Sequence, residues 1–520
     1  MRSILFFTLF LVVQATAQIK VGVPVSGKKT DKTLAALDKL FASSVASFNV
    51  PGMAVAIVQD DQLIFSKGYG VANVSTNDPV TDETVFAIAS NSKAYTAAAL
   101  AKLVDDGKLK WDDKVRKYLP EFELYDPYVS SELTVRDLLC HRSGLATFSG
   151  DVMWYGSSHS RAEVLRRARY LEPVSGFREQ FGYQNILFLA AGEIIPAVTG
   201  MSWDDYIAQQ FFSPLGMTRT STSIRNLPAD RVAAPHNEVK GKLVPIPWVN
   251  WDNIGPAGSI NSCVKDHAQW IRLQLGNGTL NGREFWKAAR THEMWENNTP
   301  LRVSNWQRQH MPSRHFNGYG LGWQLMEYRG EKVVSHGGGY DGFISQTVMV
   351  PGKNLGFVIL TNSNNSLPSC LMFEILDAYL GGSEESDWAG LFLGYKKSDE
   401  EASETARKED LASRKADTRP SLPLSEYCGV YTSELYGDVE VKPGREDLGG
   451  LELYFKPTPL HDAWLSHWHY DTFELTWQKQ HMLPPGKATF VLDAQGKVTE
   501  LKIMVDNPDL DFTELRLIKQ

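Results

Sequence analysis

With 520 residues, 43% of them apolar and 22% charged, the chain exceeds one ordinary domain and has material for large cores, so two or three domains are expected. A formal net charge of -8 leaves no basic excess to displace counterions from phosphates, which excludes a dedicated nucleic-acid binder.

Arg2 precedes an apolar run over 4–13, and Ala15-Thr16-Ala17 follows with the small residues a signal peptidase reads. A signal peptide over 1–17, cleaved before Gln18, is predicted. The run is too short to span a bilayer, and no later segment reaches about 18 uninterrupted apolar residues. The expected product is therefore secreted and extracellular, with no membrane anchor. Asn73-Val74-Ser75, Asn277-Gly278-Thr279, Asn297-Asn298-Thr299 and Asn364-Asn365-Ser366 are acceptor patterns for glycosylation in a eukaryotic secretory pathway. Cys140, Cys263, Cys370 and Cys428 lack metal-ligand spacing, so no metal site is expected. Export would permit disulfides, with the connectivity left open.

Residues 53–58 and 62–66 flank Asp60-Asp61 and predict an antiparallel hairpin. Ser90-Asn91-Ser92-Lys93 comes next, opening an alanine-rich run of strong helix formers that reaches Gly107, a glycine suited to the C-cap. Positions three apart share a helical face, so an unprotonated Lys93 amine can take the Ser90 proton while the positive end of the helix dipole favours the alkoxide. Taken alone, Ser-x-x-Lys is a common tetrapeptide, and an exposed polar helix start is its simpler account. Helical patterns over 161–170 and 186–197 mark a long middle, and strand patterns return at 332–334, 344–350 and 355–360. One sheet built from both ends of a domain, with a helical insertion between, accounts for that order.

Phe181-Gly182-Tyr183-Gln184-Asn185 leads into the second of these helices. A phenol beside a lysine ammonium is expected to lose its proton more readily, which would let Tyr183 act as base to Ser90 and acid to the leaving group. Asn185 offers an amide to orient substrate or Lys93. Ser335-His336-Gly337-Gly338-Gly339-Tyr340-Asp341-Gly342-Phe343 follows a strand, and its glycines let a substrate backbone lie close. The N–H groups of Gly339 and Ser90 are the candidate oxyanion donors.

Past residue 380 the texture changes. Ser383-Glu384-Glu385-Ser386 and the stretch 396–415 are densely charged and read as a solvated helix or linker. Beyond Tyr427, alternating segments such as Leu451-Glu452-Leu453-Tyr454-Phe455 and Thr472-Phe473-Glu474-Leu475-Thr476 indicate short antiparallel strands closing into a small barrel. His467 and His469 alternate there and could share a face, but their aromatic neighbours Trp468 and Tyr470 favour a packed or rim role over a metal.

In this order and spacing, Ser90/Lys93, Tyr183/Asn185 and His336/Gly338 resemble the Ser-x-x-Lys, Tyr-x-Asn and Lys/His-x-Gly motifs of the serine β-lactamase and penicillin-binding-protein superfamily, in its class C-like, peptidase S12 branch. Leu138-Leu139-Cys140-His141-Arg142-Ser143-Gly144-Leu145, Pro256-Ala257-Gly258-Ser259 and Tyr319-Gly320-Leu321-Gly322-Trp323 read as structural landmarks of that family. The resemblance implies an α+β fold, an antiparallel sheet flanked by helices with a large helical insertion, followed by a C-terminal all-β barrel similar to the lipocalin-like domain of some S12 peptidases. The corresponding segments are 18–382 for the hydrolase domain, 383–423 for the charged linker and 424–520 for the barrel.

It also implies cofactor-free acyl transfer through Ser90, with Lys93 and Tyr183 sharing the proton transfers, on a small acyl, peptide or ester substrate. Histidine at 336 in place of lysine points toward esterases and peptidases rather than antibiotic-hydrolysing enzymes, with recognition of an anionic terminus expected to be weaker or pH-dependent. A second reading keeps the fold without the chemistry, as in β-lactamase-like extracellular-matrix proteins of molluscan shell, with matrix association or a homo-oligomer as its partner. The intact Ser90, Lys93, Tyr183 and Asn185 weigh against it.

Overall fold

The computed structural model describes residues 28–239, 241–382, 386–444 and 450–520. The predicted signal peptide over 1–17 lies outside the described residues, as do the acidic residues at 384 and 385.

A nine-stranded antiparallel sheet organises the described residues between 28 and 380. Its order runs Thr299–Leu301, Asn317–Tyr319, Gln324–Tyr328, Glu331–Tyr340, Phe343–Val350, Leu355–Thr361, Gly52–Gln59, Gln62–Asn73 and Asp78–Pro79. The two ends of the domain meet where Gly52–Gln59 pairs with Leu355–Thr361, Ala56 lying opposite Val358. Both strands are apolar and buried along nearly their whole length, as a central strand covered on two faces must be. The long middle is helical, as its periodicity predicts.

One face of the sheet packs on the helices Lys28–Ser47 and Leu367–Leu380; the other packs on Val264–Leu275, and the helical middle beyond it includes Ser92–Asp105, Asn185–Thr199 and Gly255–Gly258, which pack on one another. In the Ser92–Asp105 helix, Ala94, Ala97, Ala98, Ala99 and Ala101 are all buried. Their small side chains let neighbouring elements approach closely. Gly192 does the same from Asn185–Thr199: a Cβ there would lie 2.1 Å from Pro256 Cγ, so glycine lets the 255–258 turn settle between the two helices.

The charged segment forms a 26-residue helix, Trp388–Ser413, in which Trp388 is the buried residue. Its pairs Lys396–Glu400, Lys397–Glu401 and Lys408–Glu404 are solvated i,i+4 contacts worth a few tenths of a kcal/mol each. Beyond it, eight antiparallel strands from Gly429–Ser433 to Leu517–Lys519 form a meander that closes where Tyr431 pairs with Lys519. Tyr431, Phe455, Phe473 and Phe490 fill its interior.

The barrel docks on the sheet-and-helix domain through specific bonds. The Glu514 carboxylate accepts from Gly150 N at 2.7 Å and from the Ser149 hydroxyl, Ser158 N donates to Pro457 O at 2.8 Å, and His159 Nε2 donates to Tyr436 O at 2.8 Å. A bulge at His467/His469 leaves Trp468 without a pairing partner, and its ring is buried beneath Lys487 and Arg414. His467 then bonds Tyr470 O, and His469 accepts from Lys415 N, which gives both rings packed, rim-side roles. All four cysteines are free, three of them buried, so the disulfides that export would permit are not formed. No group of residues suited to a metal ion occurs among the described residues.

Candidate active site

The nucleophile sits at a sharp turn from strand to helix. The short strand Phe86–Ala87 passes through a single turn, Ala89–Asn91, into Ser92–Asp105. Ala89 takes φ +46°, a left-handed conformation that costs an alanine about 1–2 kcal/mol. It is fully buried, so surrounding packing enforces the turn that presents Ser90. Gly338 closes the turn from across the cleft: a Cβ there would lie 2.3 Å from Ile88 O and 3.0 Å from Ser90 N.

Lys93, one turn along, is fully buried. Its Nζ lies 3.0 Å from Ser90 Oγ, 2.6 Å from Asn185 Oδ1 and 2.9 Å from Ala257 O. The two carbonyl oxygens can only accept, so Lys93 donates to both. A neutral amine has two N–H bonds and one lone pair, and the remaining direction is the one toward Ser90. Burial lowers the Lys93 pKa to about 7, with the Asp151 charge pulling the other way. The lone pair needed to receive the Ser90 proton is therefore available near neutrality.

Asn185 is held in turn by Asp151, whose carboxylate accepts from Asn185 Nδ2 at 2.6 Å and from Trp154 Nε1 at 2.7 Å. Burial raises the Asp151 carboxyl to about 8, against those two donors and Lys93. The relay Asp151–Asn185–Lys93–Ser90 thus joins four residues from three segments of the chain.

Tyr183 stands over Lys93, Nζ lying 4.7 Å from the ring centroid, and its phenol interacts with the Ser90 hydroxyl. The sequence-based expectation of a phenol made more acidic by lysine is not met. Burial raises the Tyr183 pKa, and Lys93, itself lowered, supplies little cationic help. Tyr183 is a protonated donor in this site. His141, in a segment read from sequence as a landmark, positions it: Nδ1 accepts from Gln184 N at 2.9 Å and the imidazole lies 4.2 Å from the Tyr183 ring.

His336 faces the same cleft from the glycine-rich strand, but its two ring nitrogens are occupied. Nδ1 donates to Gly337 O at 2.6 Å, which leaves Nε2 to accept from the buried Tyr319 hydroxyl at 2.8 Å. Burial, and then Lys93, lower its pKa to about 3. Of the two expectations for anion recognition at His336, weaker or pH-dependent, this geometry favours the first: the ring stays neutral and has no free N–H for a carboxylate.

The cleft has a volume of about 530 Å³. Ser90, Tyr183, Asn185, His336, Gly337 and Gly339 line it, together with Asp341, whose carboxyl accepts from the Tyr155 phenol. Burial raises Asp341 to about 6. Loops of the barrel complete the wall with Met482, Leu483, Asn507, Asp509 and Leu510. Of the glycosylation candidates, Asn364 is exposed at the rim of this cleft, Asn297 is exposed elsewhere, and Asn73 and Asn277 are half-buried.

Ala257, Asp151, His141, Tyr319 and the barrel loops were not singled out as site residues from the sequence. The motif around Ala257 was legible, but its carbonyl has no sequence signature, and Asp151 and the barrel loops reach the cleft only through tertiary packing.

A serine nucleophile with a buried lysine base, set between a helix and a glycine-rich strand of an antiparallel sheet, defines a β-lactamase-like serine hydrolase. The family model "Beta-lactamase" matches residues 37–372, and the chain belongs to that family. A second model, "Domain of unknown function (DUF3471)", matches 413–519, the barrel with the residues leading into it. The chain is 28% identical over 438 residues to the Unguisins hydrolase ungD' of Aspergillus campestris, covering 79% of each chain. It is 27% identical over 366 residues to Protein flp of Staphylococcus aureus, covering 69% of each. In solved structures, the octameric penicillin-binding protein homologue from Pyrococcus abyssi aligns with a TM-score of 0.60 at 23% identity, covering 94% of this chain and 100% of that one.

Proposed function

We propose that this chain is a secreted, cofactor-free hydrolase that cleaves amide, peptide or ester bonds through an acyl-Ser90 intermediate, on the peptidase S12 side of the family. The observation that carries the reading is the valence of Lys93: two carbonyl acceptors engage its N–H bonds and the third direction meets Ser90 Oγ at 3.0 Å.

In acylation, Ser90 Oγ attacks the substrate carbonyl carbon and its proton passes to Lys93 Nζ. The carbonyl oxygen becomes the oxyanion, held by the N–H groups of Ser90 and Gly339. As the intermediate collapses, the protonated Lys93 returns its proton toward the leaving group, with the Tyr183 hydroxyl as the intervening donor, and the acyl group stays on Ser90. Water then attacks the ester, losing a proton to the same Lys93–Tyr183 pair, and Ser90 leaves as its hydroxyl. The three groups titrate as a unit, so the transfers belong to the set.

The test pairs a fluorophosphonate label with turnover of p-nitrophenyl esters, D-amino-acid amides and nitrocefin, on wild type and Ser90→Ala. Labelling and turnover by wild type alone are expected. An unlabelled, folded wild-type protein would favour the extracellular-matrix reading instead. Export is checked separately, by a mature N-terminus at Gln18.

A further inference from the structure

The reverse face of the Glu331–Tyr340 strand carries a second polar recess that the Ser90 chemistry does not use. Side chains alternate across a strand. A Cβ on Gly338 would strike Ser90 N and Ile88 O on the nucleophile's side, whereas one on Gly337 would meet Gln346 Oε1 at 3.1 Å on the other. Ser335, two residues before Gly337, shares that reverse side with its pairing partner Gln324. There Arg314, Gln324, Ser335, Gln346 and Ser369 line a cavity of about 300 Å³.

Arg314 supplies the charge. Its Nε donates to Asn317 Oδ1 at 2.5 Å and a terminal nitrogen lies 3.3 Å from Met311 Sδ; among the described residues no carboxylate pairs with it. Burial lowers its pKa to about 10, which still leaves the guanidinium charged at neutral pH. Ser335 is 4% exposed and Gln346 9%, and neither side chain has a hydrogen-bond partner among the described residues. All three groups open onto the cavity, so a ligand that accepts from them would make hydrogen bonds that the protein itself does not supply there. A carboxylate fits: it is planar, accepts from a guanidinium fork, and has lone pairs over for an amide and a hydroxyl.

The recess adjoins the cleft, since Gln324 lines both. Pairing between Gln324–Tyr328 and Glu331–Tyr340 stops with Gln324 opposite Ser335, so the strand edge over 337–340 is open on that side. An extended substrate on this edge would continue the line of Gln324–Tyr328 and send alternate groups to the two faces of the sheet.

We propose that Arg314, with Gln346 and Ser335, forms a subsite for a carboxylate of the peptide-like substrate laid along the open 337–340 edge. The occupant's identity rests on the acyl-Ser90 reading; the anion site itself rests on the unpaired groups. Arg314 supplies the permanent cation that the neutral His336 does not.

Calorimetric titration of the full-chain Ser90→Ala protein, which cannot form the acyl-enzyme, tests this with N-acetyl-trialanine as the free acid and as the C-terminal amide, in the L and D series. The acid is expected to bind about tenfold tighter than the amide in at least one series. Adding Arg314→Gln should bring the two within about twofold without weakening the amide, while Arg314→Lys keeps part of the preference. Gln346→Leu should also narrow the gap, and carries the test should Arg314→Gln fail to fold. Equal binding of acid and amide, no binding of either, or a preference unchanged in these folded variants overturns the subsite. The two readings fail separately: turnover without an Arg314-dependent preference removes the subsite alone, and an Arg314-dependent preference without Ser90 labelling removes the hydrolase alone.

Discussion

Lys93, buried behind Ser90, and His336, in the wall of the cleft, are both basic, both buried and both depressed by loss of water. Their hydrogen-bond valences differ. Lys93 spends two N–H bonds on carbonyls and keeps its lone pair for Ser90, whereas His336 spends its N–H on Gly337 and its lone pair on Tyr319. Desolvation prepares a base only where a valence is left open to the reacting atom; where every valence is closed, the same burial makes a structural ring.

Lys93→Ala should break the comparison most severely, lowering kcat/KM for a p-nitrophenyl ester by about 10²–10⁴-fold, the usual range for losing a positioned general base. Retention of more than about a tenth of the activity would show that Lys93 is not the base. Asn185→Leu removes one carbonyl acceptor and leaves Asp151 short of a donor, so a smaller loss of about 10–100-fold is expected, in keeping with a hydrogen bond to a charged group. This is best measured as the single-turnover acylation rate, with thermal unfolding followed in parallel.

The pH profile sharpens the same contrast. Protonated Lys93 has no lone pair, so acylation should be lost as pH falls through about 7 and recover above it. Asp151 is itself raised to about 8 and is largely uncharged at the Lys93 midpoint, so Asp151→Asn should leave that midpoint near 7; a midpoint that moves well down would show that Asp151 is ionised in the site. The smallest effect belongs to His336→Gln, since glutamine can still accept from Tyr319. It should change kcat/KM by about threefold or less and leave the midpoint in place, because His336 is already neutral across the working range.

Much of this was legible along the chain. The hairpin before Ser90, the helix from Ser92 to the glycine at 107, the strand after the helical middle and the terminal barrel all follow from period and punctuation, which are local properties. Ser90, Lys93, Tyr183, Asn185 and His336 were legible too, because side-chain chemistry and motif order are written in residue identities. Their protonation states were not. The Tyr183 phenol was expected to be acidified and is held protonated, and for His336 the choice between weaker and pH-dependent anion recognition was open until burial fixed a neutral ring.

The reason is that a pKa and a hydrogen-bond valence belong to a residue's neighbours, and those neighbours are distant in sequence. Ala257 contributes an atom common to every residue, placed on Lys93 because Gly192 admits Pro256. Asp509 and Leu510 enter the cleft from the C-terminal barrel, held in place by Glu514. Residue identity and spacing therefore specify which reactive groups this protein owns, as Ser-x-x-Lys and the two companion motifs show. Burial and packing, which sum contributions from the whole folded chain, decide which of those groups is charged, which is free to react, and which, like His336, is locked in place.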